Sequence, residues 1–352
     1  VEKEKRPSPR VKGASVHMSR AVRYKKHLTT LQVFLSIVLV LLTVCVLVKA
    51  FFLKAPEQKA AELPAQSAAS DTDSQQSPEE QAAQEALRSH LERKGGFYTI
   101  LLSGLDDDNG GSDTNILVAV DTVNGYVYGV SIPRDSKAII DGKARKINYA
   151  YNKGGTELLA DTVSEQLGIP VDYTVSVNLK GFTALVDAIG GVDFDVPINM
   201  DYDDPIQNLS IHFKKGVQHL SGADALRVVR FRHNNDGSGY GSEDLGRMAT
   251  QQKFLKAVAK KMLSAGNILT KIDDYAKIFN QYVDTNLTVG NLAWLGTEVL
   301  KMGVDKIDFS TLPNAWKYPY IYLDPTETLT LVNTYLNPYV EDRTAEDLHL
   351  PS

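Results

Sequence analysis

The sequence predicts an α/β domain, a central mixed β-sheet covered by helices on both faces, preceded by one transmembrane helix. Three observations carry this. Continuous apolar runs at 97–103 and 115–121 read as strands buried on both sides. Stretches with helical spacing lie between and after the strands, and such alternation builds a sheet with helices on its faces. An apolar run over 28–53, with Lys49 as its only charge, is long enough to cross a bilayer, for which roughly 20 residues suffice.

The chain has 352 residues and a formal net charge of −5, unevenly spread. Residues 1–27 are strongly basic, with only Glu2 and Glu4 opposing their lysines and arginines. That flank predicts a cytoplasmic N-terminus, a single-pass anchor in a bacterial cell membrane, and an extracellular domain beyond it. A cleaved secretory signal is the competing reading. The run is longer than the usual apolar region of about 7–15 residues, and no clear small-x-small site follows it directly. No nucleic-acid-reading motif accompanies the basic segment, so no nucleic-acid partner is expected. Cys45, the only cysteine, lies in the span. The outer domain therefore has no disulfide and depends on its core.

Residues 54–95 read as a stalk or linker. Up to Ser77 the segment is rich in Ala, Gln, Ser, Asp and Pro, too poor in large apolar groups to pack. Ser77-Pro78-Glu79-Glu80 then resembles a helix start with a capping box. That helix is expected to run to Lys94, with Gly95 as its C-terminal glycine. The domain occupies 96–352, with its motifs in 97–263 and a mainly helical completion in 264–352. Within it, Asn124-Gly125 predicts a hairpin into a strand over 126–131. Helical patterns follow at 147–153 and 156–167, a strand at 172–177, a helix at 181–189 ended by Gly190-Gly191, and a strand at 192–196. Residues 223–231 form a short helix or strand. A long helix covers 243–263, two more cover 268–282 and 289–301, and a late strand covers 307–311.

Three groups of residues carry candidate chemistry. The glycine-rich loop after the first strand holds Asp106 and Asp113, which flank a turn and could converge on one Mg²⁺ (or Mn²⁺); a solvated acidic turn is the plain alternative. Ser131-Ile132-Pro133-Arg134-Asp135 follows another strand, and Pro133 stiffens the turn that aims Arg134 over the sheet edge. A surface pair between Arg134 and Asp135 is the plain alternative there. Arg230 and Arg232 share a side if their segment is extended. In the long helix Asp244, Arg247 and Gln251 lie on one face, continued by Leu255, Val258 and Met262. A charged end and an apolar end suit an amphiphile with an anionic head, and also suit an ordinary amphipathic helix packed on a core. Arginine forks match phosphate oxygens bidentately, and carboxylates hold a cation that bridges them. His212, His219 and His233 have no metal-site spacing, and no nucleophile elbow or Walker loop is present.

Taken in order, Ser112-Asp113-Thr114, the 131–135 motif, Lys146-Ile147-Asn148-Tyr149-Ala150-Tyr151, Phe182 with Gly191-Val192-Asp193, Ala225-Leu226, Arg230-Phe231-Arg232, and Asp244-Leu245-Gly246-Arg247 with Gln251-Gln252 resemble the LytR-CpsA-Psr (LCP) family of cell-envelope glycopolymer ligases. The resemblance covers roughly 97–263. It implies an LCP-type fold and transfer of a glycopolymer, such as teichoic acid or capsular polysaccharide, from an undecaprenyl-pyrophosphate carrier to peptidoglycan, with polyprenyl phosphate released. It also implies that Asp106 and Asp113 hold Mg²⁺, and that Arg134, Arg230, Arg232 and Arg247 clamp the pyrophosphate with Gln251 assisting. Asp244 would orient an arginine or act as general base; Asp244, Arg134 and Arg247 form the catalytic set. Phe182, Leu185 and Phe254 are expected in an apolar slot for the carrier's tail. Three places depart from the family: Gly111 stands where an arginine usually precedes Ser-Asp-Thr, Asp107 and Asp108 occupy the loop region where another arginine commonly follows the first Asp, and Thr250 stands where many members have arginine before the paired glutamines. A pyrophosphatase acting on the same lipid-linked glycan, or a non-enzymatic envelope regulator or carrier-lipid binder, are the alternatives.

Overall fold

The computed structural model describes residues 53–59, 89–105, 111–206, 209–241, 243–264 and 272–352. The basic segment, nearly all of the apolar run at 28–53, the middle of the stalk, and Asp106 lie outside the described residues. Among the described residues no helix is long and apolar enough to cross a membrane.

Six strands form the central sheet in the order β11-β6-β1-β2-β3-β12. Its heart is the meander β1 (Phe97–Leu105), β2 (Ser112–Asp121) and β3 (Tyr126–Ile132), with antiparallel neighbours. The turn between β2 and β3 uses Gly125 at φ 73°, as the Asn-Gly pair predicts. β6 (Tyr173–Asn178) joins β1 in parallel, and β12 (Ile307–Thr311) joins β3 in parallel. β11 (Val283–Thr285) closes the far edge antiparallel to β6. The sheet is therefore mixed, as expected.

Strand alternation sorts the apolar runs onto two faces. Phe97, Leu101, Leu117, Ala119, Val130 and Ile132 meet Leu159, Val163 and Leu167 of α1 (Asn148–Leu167) in one core. Tyr98, Ile100, Ile116, Val118 and Val120 meet Leu287, Leu292, Trp294 and Leu295 in the other, around α6 (Val289–Met302). Helices on both faces are thus confirmed. The two helical patterns expected before Gly168 are one element with a break between them, at Gly154 (φ −139°) and Gly155 (φ 68°).

A third core forms a side lobe. It gathers α2 (Leu179–Ala188), α3 (Gly222–Arg230) and two hairpins: β7 (Val192–Val196) with β10 (Gly216–Leu220), and β8 (Met200–Asp204) with β9 (Leu209–Phe213). The strand expected at 192–196 exists but belongs to this lobe, not to the main sheet. The long helix α4 (Glu243–Met262) joins the two bodies. Phe254 and Val258 enter the lobe core, while Leu255 and Ala259 pack on the sheet. α5 (Ile272–Tyr282) lies against α2.

The helix expected to reach Lys94 is helical only to His90 among the described residues. Tertiary bonds override its capping signal. Arg93 bridges Tyr339 and its guanidinium meets the buried Asp172 carboxylate at 2.8 Å, while Lys94 N–H donates to the Pro338 carbonyl at 2.8 Å. Residues 55–59 are tied to the same edge, with the Gln58 side chain donating to the carbonyls of Lys94 and Phe97 at 2.7 Å. The 264–352 segment carries more strand than expected. Besides β11 and β12 it holds the hairpin β13 (Asn314–Lys317) and β14 (Tyr320–Leu323), followed by α7 (Pro325–Leu331). A short hairpin, β4 (Lys137–Ile140) with β5 (Lys143–Lys146), also had no distinct signal, because lysine and arginine occupy half of its strand residues.

Candidate active site

The parallel pairings put the C-terminal ends of β1, β3, β6 and β12 at one end of the sheet, together with the start of β2. Ligand sites in α/β proteins gather at such ends. Asp113 opens β2 there, and Arg134 stands two residues beyond β3. Their side chains meet: an Arg134 guanidinium N–H donates to Asp113 Oδ1 at 2.6 Å. Arg134 Nε is 3.7 Å from Asp135, so the adjacent-residue pair is the weaker contact. Asp135 instead has the Lys146 ammonium at 3.1 Å. The turn is held by Ser136 N–H donating to the Pro133 carbonyl at 2.9 Å and Ile147 N–H donating to Ser136 at 2.8 Å.

The other arginines arrive from the lobe and from α4. Arg230 is the last residue of α3, and Phe231 turns the chain with φ −60° and ψ 135° before Arg232. The segment is not a strand up to 232. Both arginines reach the cleft nonetheless, because Phe231 is fully buried between them and anchors the turn. On α4, Arg247 and Gln251 lie one turn apart and face the same cleft. Gln251 also donates to the Val229 carbonyl at 3.1 Å, joining α4 to α3. Gln252 points the other way and fastens α4 to the sheet, donating to Ser131 Oγ at 2.9 Å, the Ser310 carbonyl at 2.8 Å and Thr311 Oγ1 at 3.1 Å. Asp244 is in the first turn of α4, and its side chain lies outside the described residues.

Two hollows share this polar group. A cavity of about 640 Å³ lies between the sheet end, α2, α3 and α4. Its deep part is apolar, with Leu102, Val175, Val177, Phe182, Leu185, Leu226, Phe254 and Leu255 in its walls. Phe182, Leu185 and Phe254 thus line it as expected. Leu255 does too, whereas Val258 and Met262 of the same stripe are spent on the lobe core. Next to this cavity is a much smaller, shallow pocket bordered by Pro133, Asp135, Met248 and Ile321. Asp113, Thr114, Arg134, Arg247 and Gln251 line both hollows. Arg230 and Arg232 line the deep one.

His233 and Tyr202 also line the deep cavity; sequence reasoning set His233 aside for lack of metal-site spacing and passed over Tyr202. Their rings meet edge-on with centroids 5.4 Å apart, and His233 Nδ1 is 2.9 Å from the Asn234 carbonyl. The adjacency of His233 to Arg232 was the available signal. Tyr202 had none, since the β8–β9 hairpin that presents it lacked a clear pattern.

Asp107 and Asp108 lie outside the described residues, and the other two departures from the family pattern have local structural reasons. Gly111 is buried at φ 123°, where side chains are strained, and a Cβ there would stand 3.0 Å from Asn152 Oδ1. The backbone at this position is shaped for glycine. Thr250 is buried, with Oγ1 donating to the Gly246 carbonyl at 2.9 Å and 2.7 Å from the Tyr240 hydroxyl. It packs the helix and adds no cation to the cleft.

A divalent cation fits the donors in one way. Among the described residues no group of three or more His, Cys, Asp or Glu side chains is placed to hold a metal alone. Mg²⁺ is commonly held by one or two carboxylates plus substrate phosphates. Asp113, with a side chain 45 % exposed at the cleft, is suited to that role.

A mixed sheet between helices, with an arginine-lined cleft over an apolar cavity at one strand end, defines the class as an α/β protein with its candidate site at the strand ends. Comparison with known proteins places it further: residues 61–336 match the LytR_cpsA_psr family, to which this chain belongs. It is 37 % identical over 202 residues to the polyisoprenyl-teichoic acid–peptidoglycan teichoic acid transferase TagV of Bacillus subtilis, covering 54 % of this chain and 50 % of the relative. It is also 37 % identical over 195 residues to TagU of Bacillus cereus, a transferase of the same description, covering 54 % of this chain and 60 % of the relative. The matched part thus spans half to three fifths of these relatives. The crystal structure of B. subtilis TagV superposes with a TM-score of 0.58 at 32 % identity, covering 68 % of this chain and 96 % of that one.

Proposed function

We propose that the protein transfers a glycopolymer of the teichoic acid or capsular class from a polyprenyl-pyrophosphate carrier to a peptidoglycan hydroxyl. The observation that carries this is an arginine group on the wall of an apolar cavity, with Arg134 and Arg247 shared with a smaller neighbouring pocket. A lipid-linked pyrophosphate needs that order: hydrocarbon tail in the cavity, phosphates on the guanidinium groups, sugar toward the opening. The two relatives named as teichoic acid transferases support the reading.

In the proposed reaction the acceptor hydroxyl attacks the sugar-proximal phosphorus. A new P–O bond forms to the acceptor, the bridging P–O bond of the pyrophosphate breaks, and polyprenyl phosphate leaves with the bond's electron pair. The hydroxyl proton goes to a carboxylate, for which we propose Asp244. Arg134 and Arg247 are placed to stabilise charge as it shifts to the leaving phosphate, and Arg230 and Arg232 to hold the distal oxygens. Gln251 keeps α4 registered against α3 so that Arg247 stays aimed. Mg²⁺ on Asp113, with Asp106 as the second proposed ligand, would neutralise phosphate oxygens. The apolar walls exclude water, which favours transfer over hydrolysis. The basic segment and apolar run at 1–53 would anchor the chain in the cell membrane and hold the domain outside, beside the carrier.

The test is the full-length protein with Mg²⁺, a polyprenyl-pyrophosphate-linked glycan and peptidoglycan oligomers, with products read by mass spectrometry. A glycan–peptidoglycan conjugate that disappears with EDTA and returns with added Mg²⁺ is expected. Free phosphorylated glycan as sole product would replace the transferase with a pyrophosphatase, and binding without turnover would leave a carrier-lipid binder.

A further inference from the structure

We infer that the β13–β14 hairpin is the binding platform for the acceptor glycan, with Trp316 as its stacking residue. The inference rests on the transferase reading of the cleft and adds where the second substrate sits.

The hairpin is fixed to the catalytic turn. Ile321 N–H donates to the Asp135 carbonyl at 2.9 Å, and Ile321 bridges Ser136, so the hairpin is bonded to the two residues that follow Arg134. Its two faces differ. On one, the Tyr320 hydroxyl donates to the Ala144 carbonyl at 3.1 Å, and the Lys137 ammonium lies 5.0 Å from the centre of the Tyr322 ring. That face is fastened to β4–β5. On the other, Ile321 forms a wall of the shallow pocket together with Arg134 and Arg247. Trp316 stands directly across the ladder from Ile321. Residues opposite each other in an antiparallel pair project from the same face, with Cβ atoms about 5 Å apart. Trp316 therefore extends the pocket wall outward, and it is 60 % exposed. Tyr318, at the hairpin tip, is 85 % exposed, with its ring edge-on to Trp316 at 6.5 Å.

Among the described residues, no side-chain hydrogen bond or ring contact other than their own pairing involves these two rings. A large exposed indole beside a polar cleft suits a ligand with alternating C–H and hydroxyl faces, because the negative face of the ring attracts the C–H bonds of a pyranose. In the proposed reaction the carrier's tail occupies the deep cavity. An in-line displacement brings the attacking hydroxyl in opposite the leaving polyprenyl phosphate, toward the pocket that Ile321 borders beside the donor's sugar. An exposed aromatic surface beside the arginines matches the pyranose rings of a peptidoglycan glycan chain.

The protein's two tryptophans make the test direct. Trp294 is packed edge-on against Tyr98 at 5.7 Å in the core, so Trp316 is the solvent-facing reporter. Full-length protein is titrated with soluble peptidoglycan oligomers while tryptophan emission is followed, with no donor present. Saturable quenching is expected, lost in Trp316→Phe, in which only Trp294 emits. Oligomer affinity, read independently by calorimetry, is expected to fall about tenfold in Trp316→Ala and less in Trp316→Phe. Binding of geranylgeranyl pyrophosphate, a short donor analogue, stays unchanged in both variants. Because binding is read without turnover, failure of the transferase reading leaves this result legible. Oligomer affinity unchanged in Trp316→Ala, no oligomer binding by the wild type, or quenching by the donor's polymer instead of peptidoglycan would each overturn the platform.

Discussion

Arg134 and Asp113, which belong to different strand ends, meet at 2.6 Å where the deep cavity and the shallow pocket join. The pair is partly exposed, with side chains 32 % and 45 % accessible. Such pairs contribute only about 0–1 kcal/mol to stability. Its position at the cleft is therefore not explained by folding. Arg134→Ala and Asp113→Ala should each lower the transfer rate by about 10²–10³-fold, the scale of losing one charge-stabilising group. Their melting temperatures should stay near that of the wild type. Normal transfer by Arg134→Ala would remove it from the site.

The apolar cavity makes a separate prediction about chain length. Burying each methylene contributes about 0.8 kcal/mol. Donor KM should fall as the polyprenyl tail is lengthened from farnesyl, then level once the walls are filled. Leu226→Trp, which places an indole in that space, should flatten the dependence while leaving the binding of inorganic pyrophosphate intact. An unaltered length profile in this variant would mean that the tail lies elsewhere.

Stability should be most sensitive far from the cleft. The Asp172 carboxylate is fully buried and accepts from Arg93 at 2.8 Å, from the Thr99 amide at 2.9 Å and from the Lys59 amide at 3.0 Å. Removing one partner of a buried pair leaves the other charge uncompensated, at about 3–5 kcal/mol. Asp172→Ala should lower the urea midpoint accordingly. Transfer activity per folded molecule should be retained, because Asp172 does not line either hollow. A small shift in the midpoint would show that water reaches Arg93 easily.

Alkaline pH should unfold the domain through its tyrosines. Burial raises the Tyr126 phenol to about 12, helped by the nearby Asp121 carboxylate, and burial also raises Tyr98, Tyr240 and Tyr339. An unfolded tyrosine ionises near the ordinary value of 10.0. The folded state thus holds these protons more tightly, so their contribution is complete below about pH 10 and is lost as pH rises toward 12. Stability measured by urea unfolding should be flat up to the lower limit and then fall. Tyr126→Phe should make that fall shallower, and an identical slope would exclude Tyr126 as a contributor.

The central strands were legible because each apolar run is buried on both faces. Phe97 and Leu101 go to one core and Tyr98 and Ile100 to the other, while the polar Thr99 within the run is buried and bonded to Asp172. Gly154-Gly155 and Gly190-Gly191 likewise marked real breaks, since their backbones turn through conformations that glycine favours. The hairpins β4–β5, β8–β9 and β13–β14 were not legible. Their exposed faces carry Lys, Asp, Ser and Tyr, and their pairing is enforced by contacts with distant segments. The helix ending at Lys94 failed for a related reason: local capping preference lost to the ion pair with Asp172, 79 residues away.

The amino-acid sequence by itself determined the fold class, the candidate arginines and Asp113, because strand periodicity and short motifs are local properties of the chain. Only the tertiary structure decided that Arg134 pairs with Asp113 more closely than with Asp135, and that Gln251 serves the cleft while Gln252 serves the sheet. It alone showed that an apolar cavity and a smaller pocket bordered by Ile321 of the hairpin share Arg134 and Arg247. Those relationships join residues far apart in sequence, and they exist only once burial of three separate cores has fixed α4 and the sheet end against one another.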